Sequence, residues 1–242
     1  MPHSILTSLP APSPPRQRLP APSESSHAVT IQSGTDRRAW RRDSFRAPAV
    51  EGRREHHLIL IDVSGSMTSR CSNRQTKLDN AVNAAAACVS VIARDAPGSR
   101  VALAAFNHKA DVVCNFEPVP DQLSRLIHGL NGICGSGGTS LVAALELANE
   151  LLVEVPTDAT MVVNLMTDGR GDNCRSQARR LQERGVLIAI AGFGATPGDV
   201  DEGLLRDCAS CVGGQVQYRF ADNAADLRTT MVRHSQIGRG RV

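Results

Sequence analysis

The chain predicts a doubly wound α/β fold: a mostly parallel six-stranded sheet with one antiparallel edge strand and helices on both faces. Three observations carry this. Strand-like and helix-like segments alternate from residue 57 to residue 232, as parallel crossovers require. Leu58–Ile61 and Val186–Phe193 are continuous apolar runs, the pattern of strands covered on both faces. Only Asn107-His108-Lys109 separates two further strands, a link long enough for a hairpin and too short for a crossover.

The elements follow in order. After the Leu58–Ile61 strand, residues Lys77–Arg94 place Leu78, Val82, Ala85, Val89 and Ile92 at helical spacing. Arg100–Phe106 and Ala110–Phe116 are the hairpin strands, and Pro120–Leu130 reads as a helix with Asp121 in its first turn. Ser140–Val155 is a long amphipathic helix, and Met161–Thr167 is an apolar strand. Arg175–Arg184 is helical and stops at Gly185, a residue suited to the left-handed conformation that ends helices. Val186–Phe193 is a strand, Glu202–Ala209 a helix, Gln215–Phe220 the sixth strand and Ala224–Val232 a closing helix.

Composition divides the chain into a tail, residues 1–55, a domain, residues 56–233, and a short C-terminal tail, residues 234–242. Eight of the thirteen prolines fall in the first segment, which lacks apolar periodicity and is expected to be disordered. Within it the only Trp, Trp40, stands beside Arg37, Arg38, Arg41 and Arg42, as a solvated linker or a short docking motif would. The overall net charge of +3 is uneven: residues 1–57 carry nine Arg against five acidic residues, leaving 18 basic and 19 acidic side chains beyond them. The domain therefore has no basic excess to suggest nucleic-acid binding.

No stretch approaches the ~20 apolar residues of a membrane span. Prolines 10, 12, 14 and 15 interrupt the apolar core a secretory signal would need. Seven scattered Cys do not form a disulfide framework, so a reducing, cytoplasmic setting is expected.

The chemistry concentrates in three segments. The first strand runs into Asp62-Val63-Ser64-Gly65-Ser66, one carboxylate and two hydroxyls from a single turn, a set suited to a hard divalent cation. Gly137-Gly138-Thr139-Ser140 lies about seventy residues on, and the Met161–Thr167 strand ends at Asp168-Gly169. In doubly wound sheets ligands sit outside the carboxyl ends of the strands, where Asp62 and Asp168 both fall. Each piece has a plainer reading: Ser64 and Ser66 as turn residues, Thr139 or Ser140 as a helix cap, Asp168-Gly169 as a turn dipeptide.

Together the three segments resemble the metal-ion-dependent adhesion site of the von Willebrand factor type A domain family, in its stand-alone intracellular bacterial form. The resemblance covers about residues 57–232 and extends to Gly213-Gly214, the short strand ending near Ala221-Asp222 and the helix from Ala224. It implies that Ser64, Ser66 and Thr139 bind Mg²⁺ or Mn²⁺ directly, and that Asp62 and Asp168 act mostly through coordinated waters. Neutral direct ligands leave the ion's charge poorly compensated, so it would take an Asp or Glu carboxylate from a partner protein. Gly65, Gly137 and Gly138 would let the backbone pack close to the ion. Intracellular members of the family serve as adaptors to AAA+ ATPases or in stress-response complexes. The chain itself has no phosphate-binding Gly-x-x-x-x-Gly-Lys-Ser/Thr loop.

The expected function is thus a metal-dependent protein-binding module, not an enzyme, with neither nucleic acid nor membrane as partner. Two other readings stand beside it. A metal-dependent phosphohydrolase would need Asp-x-Asp where the chain has Asp62-Val63-Ser64; a structural scaffold would bind no ion at the site. Cys71, Cys134 and Cys174 fall on the three converging loops, either by coincidence or as a redox or zinc cluster. Cys208-Ala-Ser-Cys211 has CxxC spacing at a helix end, where a structural role is expected.

Overall fold

The computed structural model describes residues 54–119, 124–125, 128–129, 135–156, 158–237 and 239. Its centre is β1 (Glu55–Asp62), an eight-residue strand buried at every position. Side chains alternate across it. Leu58 and Leu60 enter one core, Ile59 and Ile61 the other, so each face of a single strand anchors its own layer of helices.

On one side β1 pairs in parallel with β2 (Arg100–Phe106), which pairs antiparallel with β3 (Ala110–Pro118) at the edge. On the other side lie β4 (Thr160–Thr167), β5 (Leu187–Phe193) and β8 (Tyr218–Ala221), all parallel. The order β3-β2-β1-β4-β5-β8 is the six-stranded, mostly parallel sheet expected from the alternation, with its one antiparallel strand at the edge.

Helix α1 (Lys77–Asp95) opens on Thr76, whose hydroxyl accepts from the Asp79 N–H while the Asp79 carboxylate accepts from the Thr76 N–H. It packs with α5 (Ala224–His234) against the Ile59–Ile61 face. Helices α2 (Leu141–Leu152), α3 (Arg175–Glu183) and α4 (Glu202–Cys208) cover the opposite face through Leu141, Leu145, Ala178, Leu181, Leu204 and Leu205. The helix expected over Pro120–Leu130 lies mostly outside the described residues, as does the whole of residues 1–53.

One expected strand divides. Gln215–Val216 (β7) pairs back on Cys211–Val212 (β6) as a small hairpin, and only Tyr218–Ala221 enters the main sheet. The cause is local. Gly213 and Gly214 both adopt positive φ, 57° and 78°, which closes a tight turn. Gln217 then bridges the two sheets, its N–H donating to the Ser210 carbonyl and its carbonyl accepting from the Ile190 N–H.

The far end of β1 is pinned. Glu55 accepts from His57 Nε2 and from Arg239 Nε, each at 3.0 Å, which ties the residues after α5 to the start of the sheet. At the carboxyl ends, chain order reverses between β1 and β4. One continues to β2 and the other to β5, leaving a crevice between them.

Two histidines are buried as neutral rings. Burial pushes His56 and His234 down to about 4. The unfolded chain therefore takes up protons near pH 6.5 that the native state refuses until about pH 4, so stability falls as pH drops through that window. Each ring would cost up to about 3 kcal/mol by its lower end. Denaturant melts between pH 7 and pH 4 should show this decline, and His234→Gln should flatten it.

Candidate metal centre

The crevice at the carboxyl ends of β1 and β4 holds four of the five expected site residues in one hydrogen-bonded chain. Asp62 is fully buried, and both its carboxylate oxygens are committed: Oδ1 accepts from the Ser64 N–H at 2.8 Å, Oδ2 from the Thr167 hydroxyl at 2.6 Å. Burial is the largest influence on this carboxyl and raises its pKa. Asp168 nearby adds to the rise, while the bonds from Thr167 and Ser64 oppose it. The Ser64 and Ser66 hydroxyls lie 3.0 Å apart, on either side of the start of a short 3₁₀ turn, Gly65–Thr68. Ser66 then donates to Asp168 Oδ1 at 2.7 Å.

The third loop is stitched to the first by backbone. The Gly65 N–H donates to the Gly137 carbonyl at 2.9 Å, and the Ser136 N–H to the Val63 carbonyl at 2.7 Å. Asn107, in the β2–β3 link, holds the loop from behind: its side-chain amide donates to the Ser136 carbonyl, and its own carbonyl accepts from the Ser140 N–H. Thr139 completes the set. Its Oγ1 lies so close to Gly169 that a Cβ there would sit 2.8 Å from it, which puts the hydroxyl against the Asp168-Gly169 turn.

The plainer reading holds for Ser140. Its hydroxyl caps α2, accepting from the Ala143 N–H, and donates to Asp172. Asp172 also accepts from the Val142 N–H, so this carboxylate anchors the start of α2. Its only sequence signal is its place four residues beyond Asp168 on the same loop.

Lys77 is the residue that sequence reasoning missed. Its ammonium lies 2.6 Å from Asp168 Oδ2, where the Asp168 side chain is wholly buried and the lysine stem mostly so. A lysine at the first position of a helix reads as solvated, and nothing in the spacing marks it. The one available hint is rarity: the chain has two Lys, and this is one of them.

The donor set fits a hard divalent cation. Three hydroxyls and two carboxylates converge from three loops, all oxygen donors. Among the described residues no group of three His, Cys, Asp or Glu is placed to hold a metal, so a soft, thiolate-rich or imidazole-rich site is not formed there.

A family model described as von Willebrand factor type A domain matches residues 57–170, the span from β1 through the Asp168 turn. Over that span the chain is similar to the von Willebrand factor type A family. Comparison with curated protein sequences finds no match. Among solved structures, the fold is similar to a von Willebrand factor type A protein from Catenulispora acidiphila (21% identity, 76% of this chain and 43% of that one, TM-score 0.61). It is similar to the conserved hypothetical protein BatB from Bacteroides thetaiotaomicron (16% identity, 74% and 96%, TM-score 0.61). It is also similar to proximal thread matrix protein 1 from the mussel byssus, in a structure whose adhesion-site motif is occupied by zinc (18% identity, 77% and 46%, TM-score 0.61). The chain spans less than half the length of the Catenulispora and mussel proteins.

Within the crevice the glycines differ from expectation. Gly137 has φ 80°, and a Cβ would meet His108 Nδ1 at 2.7 Å, so only glycine serves there. Gly65 has ordinary room and Gly138 open space, so close backbone approach does not require them; Gly169 does require it, because of Thr139. Two of the three loop thiols are described. Cys174 is buried with its sulfur 3.4 Å from that of Cys208, so it does not join Cys71 in a cluster at the metal rim, and Cys134 lies outside the described residues.

Lys77 and Asp168 form a nearly buried ion pair, and removing one partner strands the other. Lys77→Met should lower stability by about 3 kcal/mol in chelator-treated protein. Adding Asp168→Asn should return most of that loss, as a double-mutant denaturation cycle would measure.

Proposed function

We propose that the domain is a divalent-metal-dependent protein-binding module whose ion takes an Asp or Glu carboxylate from a partner. One observation supports this above the rest. The carboxylate oxygens of Asp62 and Asp168 are already engaged inside the protein, by the Ser64 N–H, Thr167, Ser66 and Lys77. The hydroxyls of Ser64, Ser66 and Thr139 would then hold Mg²⁺ or Mn²⁺, with Asp62 and Asp168 orienting them and any bound water. A bound ion of this kind supplies Lewis acidity toward an anionic oxygen. Lys77 sharpens the effect, because it offsets the negative charge of Asp168.

The same wiring weighs against hydrolysis. An Asp nucleophile must reach substrate, and Asp62 is fully buried with both oxygens held. The reading as a scaffold that binds no ion differs in one measurable respect, the dependence of partner binding on the cation. We place the module in the cytoplasm, in keeping with six free cysteines and no helix among the described residues long and apolar enough to cross a membrane. The partner class we propose is an AAA+ ATPase or stress-response complex presenting an exposed acidic residue.

Affinity capture with and without EDTA, read by mass spectrometry, tests the proposal. A partner retained in Mg²⁺ and released by EDTA is expected. Thr139→Ala and Asp168→Ala should abolish that retention with a native circular dichroism spectrum. Partner capture unchanged by EDTA and by both substitutions would overturn it.

A further inference from the structure

The metal rim has a second reactive group behind it that the binding function leaves unused. Cys174 stands at the N-terminal cap of α3, at the end of the loop that begins with Asp168, and Cys208 is the last residue of α4. Both are buried, and their sulfurs lie 3.4 Å apart although 34 residues separate them in the chain. The Cys174 sulfur makes no capping bond to its helix, so its orientation toward Cys208 is not a by-product of capping.

The backbone around the pair is held from both sides. Arg175, the residue after Cys174, donates through Nε and Nη2 to Asp207, the residue before Cys208, at 2.9 and 2.7 Å. Gln182, further along α3, donates to the Cys208 carbonyl at 3.0 Å. These contacts fix the two helix ends relative to each other, so the sulfurs meet by construction. A disulfide needs about 2.05 Å between sulfurs, a closure of little more than 1 Å from the distance present.

We propose that Cys174 and Cys208 are an oxidative modification site, a thiol pair that a peroxide converts to an intramolecular disulfide stapling the Asp168–Cys174 loop to α4. The chemistry balances with hydrogen peroxide as oxidant. The Cys208 thiolate attacks one peroxide oxygen, the O–O bond breaks, and the departing hydroxide takes a proton to leave as water. The Cys174 sulfur then attacks the sulfenic Cys208 sulfur. The S–O bond breaks, and a second water leaves with the Cys174 proton. Two electrons pass from the two thiols to the peroxide.

Contact between the sulfurs holds Cys208 below the ordinary thiol range and pushes Cys174 up. We take Cys208 as the attacking thiolate, with the Arg175 guanidinium, held on the adjacent Asp207, adding positive charge nearby. Burial of both sulfurs means reaction through local opening, so the pair reacts more slowly than the exposed Cys211.

The test uses the full chain, reduced and then exposed to hydrogen peroxide, quenched in acid, alkylated and digested for mass spectrometry. Peptides cross-linked through Cys174 and Cys208 are expected, with the melting temperature of the oxidised Cys211→Ser protein raised by about 5 °C or more over its reduced form. Cys174→Ser and Cys208→Ser should each lose the cross-link. Recovery of Cys174 and Cys208 as alkylated thiols after Cys211 has been oxidised would overturn the inference. So would a disulfide between Cys208 and Cys211, or sulfinic acid at Cys208 without any cross-link. None of these outcomes depends on metal binding.

Discussion

Two carboxylates buried side by side at the ends of adjacent parallel strands are the constraint that the rest of the site answers. Asp62 and Asp168 repel each other, and neither has bulk water to screen it. Three neighbouring features supply donors to them: the turn after β1 gives the Ser64 N–H and the Ser66 hydroxyl, β4 gives Thr167, and α1 gives Lys77. Once these donors are in place the carboxylates are oriented and cannot swing freely. The hydroxyls remain as the neutral oxygen donors of the crevice. Protein–metal chemistry of this kind is set by what the acidic groups are already doing.

That constraint also explains why the third loop is built as it is. Among the described residues the loop carrying Thr139 has no strand of its own at the rim, and it borrows rigidity from the backbone of residues 63–65 and from Asn107. Gly135, Gly137, Gly169 and Gly171 are four places where a side chain would force the loops apart, at Thr68, His108, Thr139 and Leu141 respectively. Asp172 ties α2 into the same arrangement through Ser140 and Val142. The three loops therefore behave as one preorganised unit, a requirement for holding a small, geometrically demanding ion.

Much of this was legible in the residues. The largely apolar runs marked β1, β4 and β5, because strands covered on both faces are built mainly of apolar residues; buried Glu55, His56, His57 and Asn164 are among the exceptions. The strand-terminal positions of Asp62 and Asp168 followed from the same runs. What sequence reading missed was long-range or local-geometric. Gln215–Phe220 read as one strand, because the break depends on the tight Gly213-Gly214 turn and on Gln217 bridging two sheets. Lys77 stands 91 residues from Asp168 in the chain, and nothing in its own neighbourhood reports that separation being closed. Cys174 and Cys208 were assigned to different groups because spacing alone associates Cys208 with Cys211, whereas packing of α3 against α4 associates it with Cys174.

The central claim, that hydroxyls hold the ion while the two carboxylates stay in their protein bonds, is tested most directly by anomalous X-ray scattering from crystals grown with Mn²⁺. The account predicts a single strong peak in direct contact with the Ser64, Ser66 and Thr139 oxygens, with Asp62 still bonded to Thr167. A peak ligated directly by both Asp62 and Asp168, or crystals showing no peak at this rim, would contradict it.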